Sequence, residues 1–363
     1  SMFGISSISH LISEAPTFKN RNLNHQNTHR QIHGQNIVAC VWDFDKTLIP
    51  GYMQTPLFEH YGIDEALFWR EVNQLPGLYL ERGLRVSSDT IYLNHLLSYV
   101  KNGPMRGLTN QKLMELGSEL ELYPGLPNFF AELSEIAHHE EFKNHDFKIE
   151  HYIISTGLAP MIKGSQIFPF IEDVFACEFI ESPVSPNFMS QTELSLPVDL
   201  EISQVGMSVD NTIKTRFLFE INKGANKSHS IDVNTSMPHD DRRVPFDQMI
   251  YVADGPSDVP VFAVIKQMGG KAYAVYNPRS EREFEQSCEL VERGRVHNNG
   301  PADYRKESPT SVWMKQKVSE VFRRMIKKKL DHLDERTGSP PKHFSDQSND
   351  NPLSELKQDT FWK

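Results

Sequence analysis

The chain has 363 residues and a formal net charge of −10, enough length for one large domain or two ordinary ones and an acidity that argues against a broad basic face for nucleic acid. Its three cysteines, Cys40, Cys177 and Cys288, are odd in number and far apart. They fit neither a zinc spacing nor a disulfide framework and point to a reducing, cytoplasmic setting. No apolar run is long enough to span a bilayer, and the opening residues lack the basic and apolar regions of a signal peptide.

In chain order, residues 1–35 form a polar leader rich in Asn, Gln and His. His25, His29 and His33 recur every four residues and would share one helix face; a metal site is the sharper reading, a floppy leader the plainer one. "NIVACVWDF" is short, continuous and rich in Val, the pattern of a buried strand. Residues 55–120 then read as helices only. Asp64 or Glu65 starts the first, which carries Leu67, Phe68 and Val72. Ser87 or Ser88 caps the second, which Gly103 and Pro104 stop, and Thr109 starts a third. "YPGLPNFFAELSEI" is a turn and another helix. Four further strands follow, "KIEHYIIST", "DVFACEFI", "QMIYVADG" and "KAYAVYNP", alternating with the helices "APMIKGSQIF", "TIKTRFLFEIN" and "SDVPVFAVIKQM". That alternation predicts a three-layer α/β/α, Rossmann-like parallel sheet. The helical block interrupts it directly after the first strand, as an inserted cap does. The expected organisation is a leader (1–35), a core (36–54 and 121–332), a helical cap (55–120) and a flexible tail (333–363). Val318, Val321, Phe322, Met325 and Ile326 mark a terminal helix packed on the core. His138 to Glu141 read as an exposed helix end, and Cys40 as a small core residue.

Ligands of open parallel sheets bind beyond the carboxyl ends of the strands. Here the first strand ends in Asp43 and Asp45, the second in Ser155, Thr156 and Gly157, and a later one in Asp254, Gly255, Pro256, Ser257 and Asp258. Four carboxylates at one edge repel one another unless a cation lies among them, and an all-oxygen donor set selects Mg²⁺. A carboxylate can also be the nucleophile that forms an acyl phosphate. Phosphoryl transfer further needs a lysine and backbone N–H donors. Gly157 allows close approach of its amide. Lys214 begins a helix shortly before the "MIYVA" strand, and Lys223 and Lys227 are its rivals, nearer in sequence to Asp254.

"DFDKT", "IISTG", a helix-initiating lysine and "ADGPSD", in that order, resemble the four motifs of the haloacid dehalogenase (HAD) superfamily. The resemblance covers roughly residues 36–300 and is nearest the phosphoserine-phosphatase-like branch, whose helical cap follows the first motif. It implies that Asp43 is the nucleophile and a Mg²⁺ ligand. Asp45 is then the general acid and base, ligating the metal through its backbone carbonyl. Thr156, Gly157 and Lys214 hold the phosphoryl group, Asp254 completes the metal ligands, Asp258 orients Lys214 or a metal-bound water, and Thr47 steadies the loop. Lys46 belongs to that loop. Two departures stand out: Ala253 replaces the usual glycine, and about 30 residues separate the Lys214 helix from the next strand. The implied activity is Mg²⁺-dependent hydrolysis of a small phosphorylated metabolite through an aspartyl-phosphate. The alternatives are a phosphotransferase or phosphomutase on the same core, and a catalytically silent binding protein. Tyr52, Gln54, Arg82 and Arg85 are the substrate-contact candidates, with the 223–247 insertion helping to shape the pocket.

Overall fold

The computed structural model describes residues 35–187, 189 and 200–337, with side chains as far as Asp331. The His25, His29 and His33 pattern and the tail beyond residue 337 lie outside the described residues. Seven strands form one sheet: β1 (Ile37–Trp42), β2 (Lys148–Leu158), β3 (Asp173–Glu181), β4 (Ile202–Met207), β5 (Met249–Ala253), β6 (Lys271–Tyr276) and β7 (Asn298–Pro301), in the order β4-β3-β2-β1-β5-β6-β7. All pairs are parallel except β3–β4. All six residues of β1 are buried, which is why it reads as an unbroken apolar run and not an alternating one.

Helices α1 (Thr55–Tyr61), α2 (Glu65–Glu81), α3 (Ile91–Asn102) and α4 (Asn110–Gly117) occupy the stretch after β1. Asp64 caps α2 by accepting the Leu67 N–H, and Thr109 caps α4 by accepting that of Lys112. The second expected cap is displaced: α3 starts after Thr90, beyond both Ser87 and Ser88. Leu67 points outward while Phe68 and Val72 are buried. Glu71 joins α2 to α3, taking hydrogen bonds from His95 and Tyr99.

The remaining helices are α5 (Asn128–Glu135), α6 (Ala159–Gly164), α7 (Ile213–Lys223), α8 (Val259–Gln267), α9 (Glu281–Glu292) and α10 (Pro309–Thr337). On one sheet face Trp42 packs edge-to-face against Phe130 and Tyr304, and Tyr273 lies tilted against Trp313, so α5 and α10 cover it. On the other, Phe175 stacks on Phe217 and Tyr251 packs edge-to-face against Phe262, the faces of α7 and α8. Val318, Val321, Phe322 and Met325 are all buried, as expected of a packed terminal helix. The fold is the HAD-like α/β architecture that the motif order anticipates.

Two elements escaped the sequence pattern. Strand β4 is the return arm of a hairpin from β3, its alternation weak because only Ile202 is buried. Strand β7 is "NNGP", which carries no strand-forming residue at all.

The 223–247 insertion corrects an expectation. Helix α7 begins at the carboxyl edge of the sheet, so the segment that follows it lies at the opposite, amino edge. There Arg243 pairs with Glu150 near the start of β2, Lys227 with Glu172 ahead of β3, and Gln35 with the carbonyls of His239 and Arg242. The excursion on the strand-end side is instead the β3–β4 hairpin. It is tied to the helical block through Ile202 N–H to the Leu108 carbonyl and Asn110 to the Phe179 carbonyl.

Candidate active site

Strand β1 lies between β2 and β5, with Trp42 opposite Ile153 on one side and Val252 on the other. The residues just past these positions emerge at one edge. The Asp43 N–H donates to the Val252 carbonyl at 2.9 Å, carrying the β1–β5 pairing to the base of the acid. Lys214 stands in the first turn of α7, where Asp210 accepts the N–H groups of Thr212 and Ile213. Its side chain is 1% exposed. The ammonium lies 2.9 Å from Asp43 Oδ1 and 2.7 Å from Asp258 Oδ1. Asp258 also accepts from Tyr251 Oη at 2.6 Å and from Ser257 Oγ at 2.9 Å. The rivals are engaged elsewhere: Lys223 donates to the carbonyls of Val233 and Thr235, and Lys227 pairs with Glu172.

Asp43, Asp254 and Asp258 each offer an oxygen, and these lie within 4.8 Å of one another. At that separation two carboxylates repel by roughly 3 kcal/mol with an effective dielectric of 20. One ammonium does not neutralise three of them. Burial raises the Asp43 carboxyl to about 6 even though Lys214 pulls the other way. Burial and then the charges of Asp43 and Asp258 push Asp254 well above the carboxylate range. Burial alone would lower the Lys214 pKa; Asp258 and Asp43 outweigh it and hold the group protonated. The cluster therefore either keeps a proton at neutral pH or takes a cation, and its oxygen-only donors suit Mg²⁺. Asp258 is already held by three donors, which leaves Asp43 and Asp254 as the side chains best placed to ligate.

Asp45 stands apart from this trio, half-buried, its Oδ1 accepting the Met53 N–H at 2.8 Å. Burial and then the Asp43 charge raise it to about 8, so it carries a proton at neutral pH. Thr47 is fully buried; its carbonyl accepts from Tyr304 Oη, while its own hydroxyl has no partner among the described residues. Lys46 adopts a left-handed φ of 56°, places its ammonium 4.9 Å from the Tyr52 ring centre and lies 3.8 Å from Glu283.

At the end of β2, the Thr156 carbonyl takes the Tyr92 hydroxyl at 2.6 Å, so α3 reaches the strand end directly. The Gly157 amide, expected to face a phosphoryl group, donates instead to Ser155 Oγ at 3.0 Å. Ser155 is 1% exposed and is the hydroxyl the sequence reading passed over in favour of its neighbour; the adjacent pair in "IISTG" was the available signal. Tyr251, Ser257 and Tyr92 were also missed, because nothing in the spacing says that a strand tyrosine turns toward an aspartate seven residues on. Among the substrate-contact candidates, Tyr52 is 46% exposed and Gln54 is buried with its carbonyl oxygen unpartnered, while Arg82 and Arg85 are exposed beyond α2.

No family model matches the chain. Among solved structures, it resembles a probable phosphoserine phosphatase of Vibrio cholerae (15% identity, 81% of this chain and 68% of that one, TM-score 0.43). It also resembles a phosphoserine phosphatase in apo form (14%, 72% and 92%, TM-score 0.41) and a HAD family hydrolase of Salmonella enterica serovar Typhi (14%, 73% and 66%, TM-score 0.41). The fold assignment rests on the chain's own strand order and motif placement, not on these likenesses. An uncharacterized protein of Borreliella burgdorferi is 36% identical over 288 residues, 78% of this chain and 97% of the relative. At that identity and coverage the chain belongs to the same family as the Borreliella burgdorferi protein, with a HAD-like fold as its scaffold.

Proposed function

We propose that the chain is a Mg²⁺-dependent phosphatase that hydrolyses a small phosphomonoester through an aspartyl-phosphate on Asp43. The observation that carries this reading is the buried set in which Lys214 bridges Asp43 and Asp258 while Asp254 lies within 4.8 Å of both.

Asp43 attacks phosphorus, and Lys214 offsets charge on the nucleophile and on the transferring group. Asp258, fixed by Tyr251 and Ser257, holds Lys214 in place. Asp45 protonates the departing alkoxide and then, as a carboxylate, takes the proton of the water that hydrolyses the acyl phosphate. Thr156, at the end of β2, would receive the phosphoryl oxygens. Asp43, Asp254 and the Asp45 backbone carbonyl would hold Mg²⁺, which when bound supplies positive charge to the phosphoryl oxygens. The proton on Asp45 is what favours phosphate esters as substrates, since their leaving groups need one.

The test is turnover of p-nitrophenyl phosphate with and without Mg²⁺, comparing the wild type with Asp43→Asn. Hydrolysis that needs both Mg²⁺ and Asp43 supports the reading. A wild type no better than the variant across several phosphoesters contradicts it and favours a binding protein on the same fold.

A further inference from the structure

Asp45 projects from a loop, and loop side chains need a support of their own if they are to place a proton within a few tenths of an ångström. Among the described residues, the hydrogen bond to its carboxylate comes from the Met53 N–H, at 2.8 Å to Oδ1. Met53 is itself fully buried. Its sulfur accepts the Leu158 N–H at 3.0 Å, satisfying a backbone donor at the end of β2. Its methyl lies against Gly157 so closely that a Cβ there would stand 2.2 Å from Cε and 2.6 Å from Sδ. Only glycine leaves the notch into which this side chain fits. On the N-terminal side of Met53, Pro50 and Tyr52 are exposed and offer no comparable anchor.

We propose that Met53 is the positioning residue for the general acid, its side chain keyed into the Gly157–Leu158 notch of β2 so that its amide fixes the Asp45 carboxyl. This inference rests on the phosphatase reading above. An N–H donor must bind the unprotonated oxygen of a carboxylic acid. With Oδ1 held by Met53, Oδ2 is the oxygen left free to carry a proton to the leaving group. As the Asp43–phosphorus bond forms and the phosphorus–oxygen ester bond breaks, that proton passes to the departing oxygen. Asp45 is left as the carboxylate that next accepts a proton from water. A loosened Met53 leaves the acid present but unaimed, so the loss falls on esters whose leaving group needs a proton.

The experiment measures kcat/KM with Mg²⁺ for p-nitrophenyl phosphate, whose leaving group departs unaided, and for glycerol 2-phosphate, whose leaving group does not. Wild type, Met53→Ala, Met53→Leu and Asp45→Asn are compared. Met53→Ala is expected to lose roughly 30-fold more on the alkyl ester than on the aryl ester, a fraction of the full effect of Asp45→Asn. Met53→Leu, which keeps the bulk but not the sulfur acceptor, shows the same split at smaller size. It carries the test alone if the alanine variant does not fold. Equal losses on both esters, or a change in KM only, overturn the proposal while leaving the phosphatase intact. A wild type that cleaves only the aryl ester has no working acid, and this overturns the proposal too. A wild type that cleaves neither ester overturns the phosphatase reading and this inference with it.

Discussion

Two charge clusters lie at opposite edges of the same sheet, the one at the amino edge half-buried and the other deeper, and they are built on different terms. At the amino edge, the Arg243 guanidinium meets Glu150 through two hydrogen bonds of 2.7 and 2.6 Å and also donates to Tyr152 Oη at 3.1 Å. One cation answers one anion, every strong acceptor is used, and burial, which opposes ionisation of Glu150, is outweighed by Arg243. At the carboxyl edge the Lys214 ammonium pairs with Asp43 and Asp258, while Asp254 offers an oxygen within 4.8 Å of both. The first cluster is complete as it stands and fastens the 223–247 segment to β2. The second is complete only with further positive charge, and uncompensated charge kept out of water is tolerated where chemistry uses it. The imbalance, more than the burial, separates an active site from a structural ion pair.

The largest expected effect comes from the unbalanced cluster. Asp43→Asn should lower turnover of any accepted phosphoester by at least ~10⁴-fold, yet leave the melting temperature unchanged or raised, since it removes one of three repelling carboxylates. Loss of activity together with loss of stability would mean that the cluster is structural after all.

The balanced cluster should respond in the opposite way. Arg243→Met leaves the half-buried Glu150 without its partner and should cost about 2 kcal/mol in denaturant unfolding, with kcat/KM held within about twofold. The double variant Arg243→Met with Glu150→Leu should recover most of that stability. A drop in kcat/KM for Arg243→Met in the folded protein would show that the amino-edge segment reaches the site.

A buried titratable group outside both clusters supplies the pH dependence. His151 lies between Trp42 and Phe130 on β2, accepting the indole N–H, and burial lowers its pKa to about 4. Its ordinary value is 6.5, so the unfolded chain binds a proton before the folded one does. The stability it contributes is whole above about pH 6.5 and is lost as pH falls towards 4, by roughly 3 kcal/mol across the window. His151→Gln should flatten that slope in unfolding experiments between pH 7 and 4.

The smallest effect sharpens the metal assignment. Saturating Mg²⁺ should stabilise the wild type by about 2.7 kcal/mol at a hundred times its dissociation constant, and Asp254→Asn should lose that gain. A Mg²⁺-dependent rise in melting temperature that survives in Asp254→Asn places the ion elsewhere.

How much of this was legible in the sequence follows from what each feature depends on. Strands β1, β2, β3, β5 and β6 and the order of the motifs could be read because buried parallel strands leave apolar runs and because acids stood at the ends of β1 and β5. Asp43, Lys214, Asp254 and Asp258 were each legible, and their convergence at one edge followed from the strand–helix alternation; choosing Lys214 over Lys223 and Lys227 needed the folded chain. Strands β4 and β7 were illegible, one being largely solvent-facing and the other polar, so neither leaves a hydrophobic signature. The side taken by residues 223–247 follows from topology alone, since a loop after a crossover helix returns to the amino edge. Met53 could not have been found by pattern, because its role depends on a methyl-sized gap at Gly157, 104 residues away in the chain.

The central claim is covalent chemistry at Asp43, and acid quenching of the enzyme during turnover of a ³²P-labelled phosphoester with Mg²⁺ tests it directly. The account predicts a base- and hydroxylamine-labile label that maps to Asp43 and is absent from Asp43→Asn. Turnover with no trapped label, or a label on another residue, contradicts it.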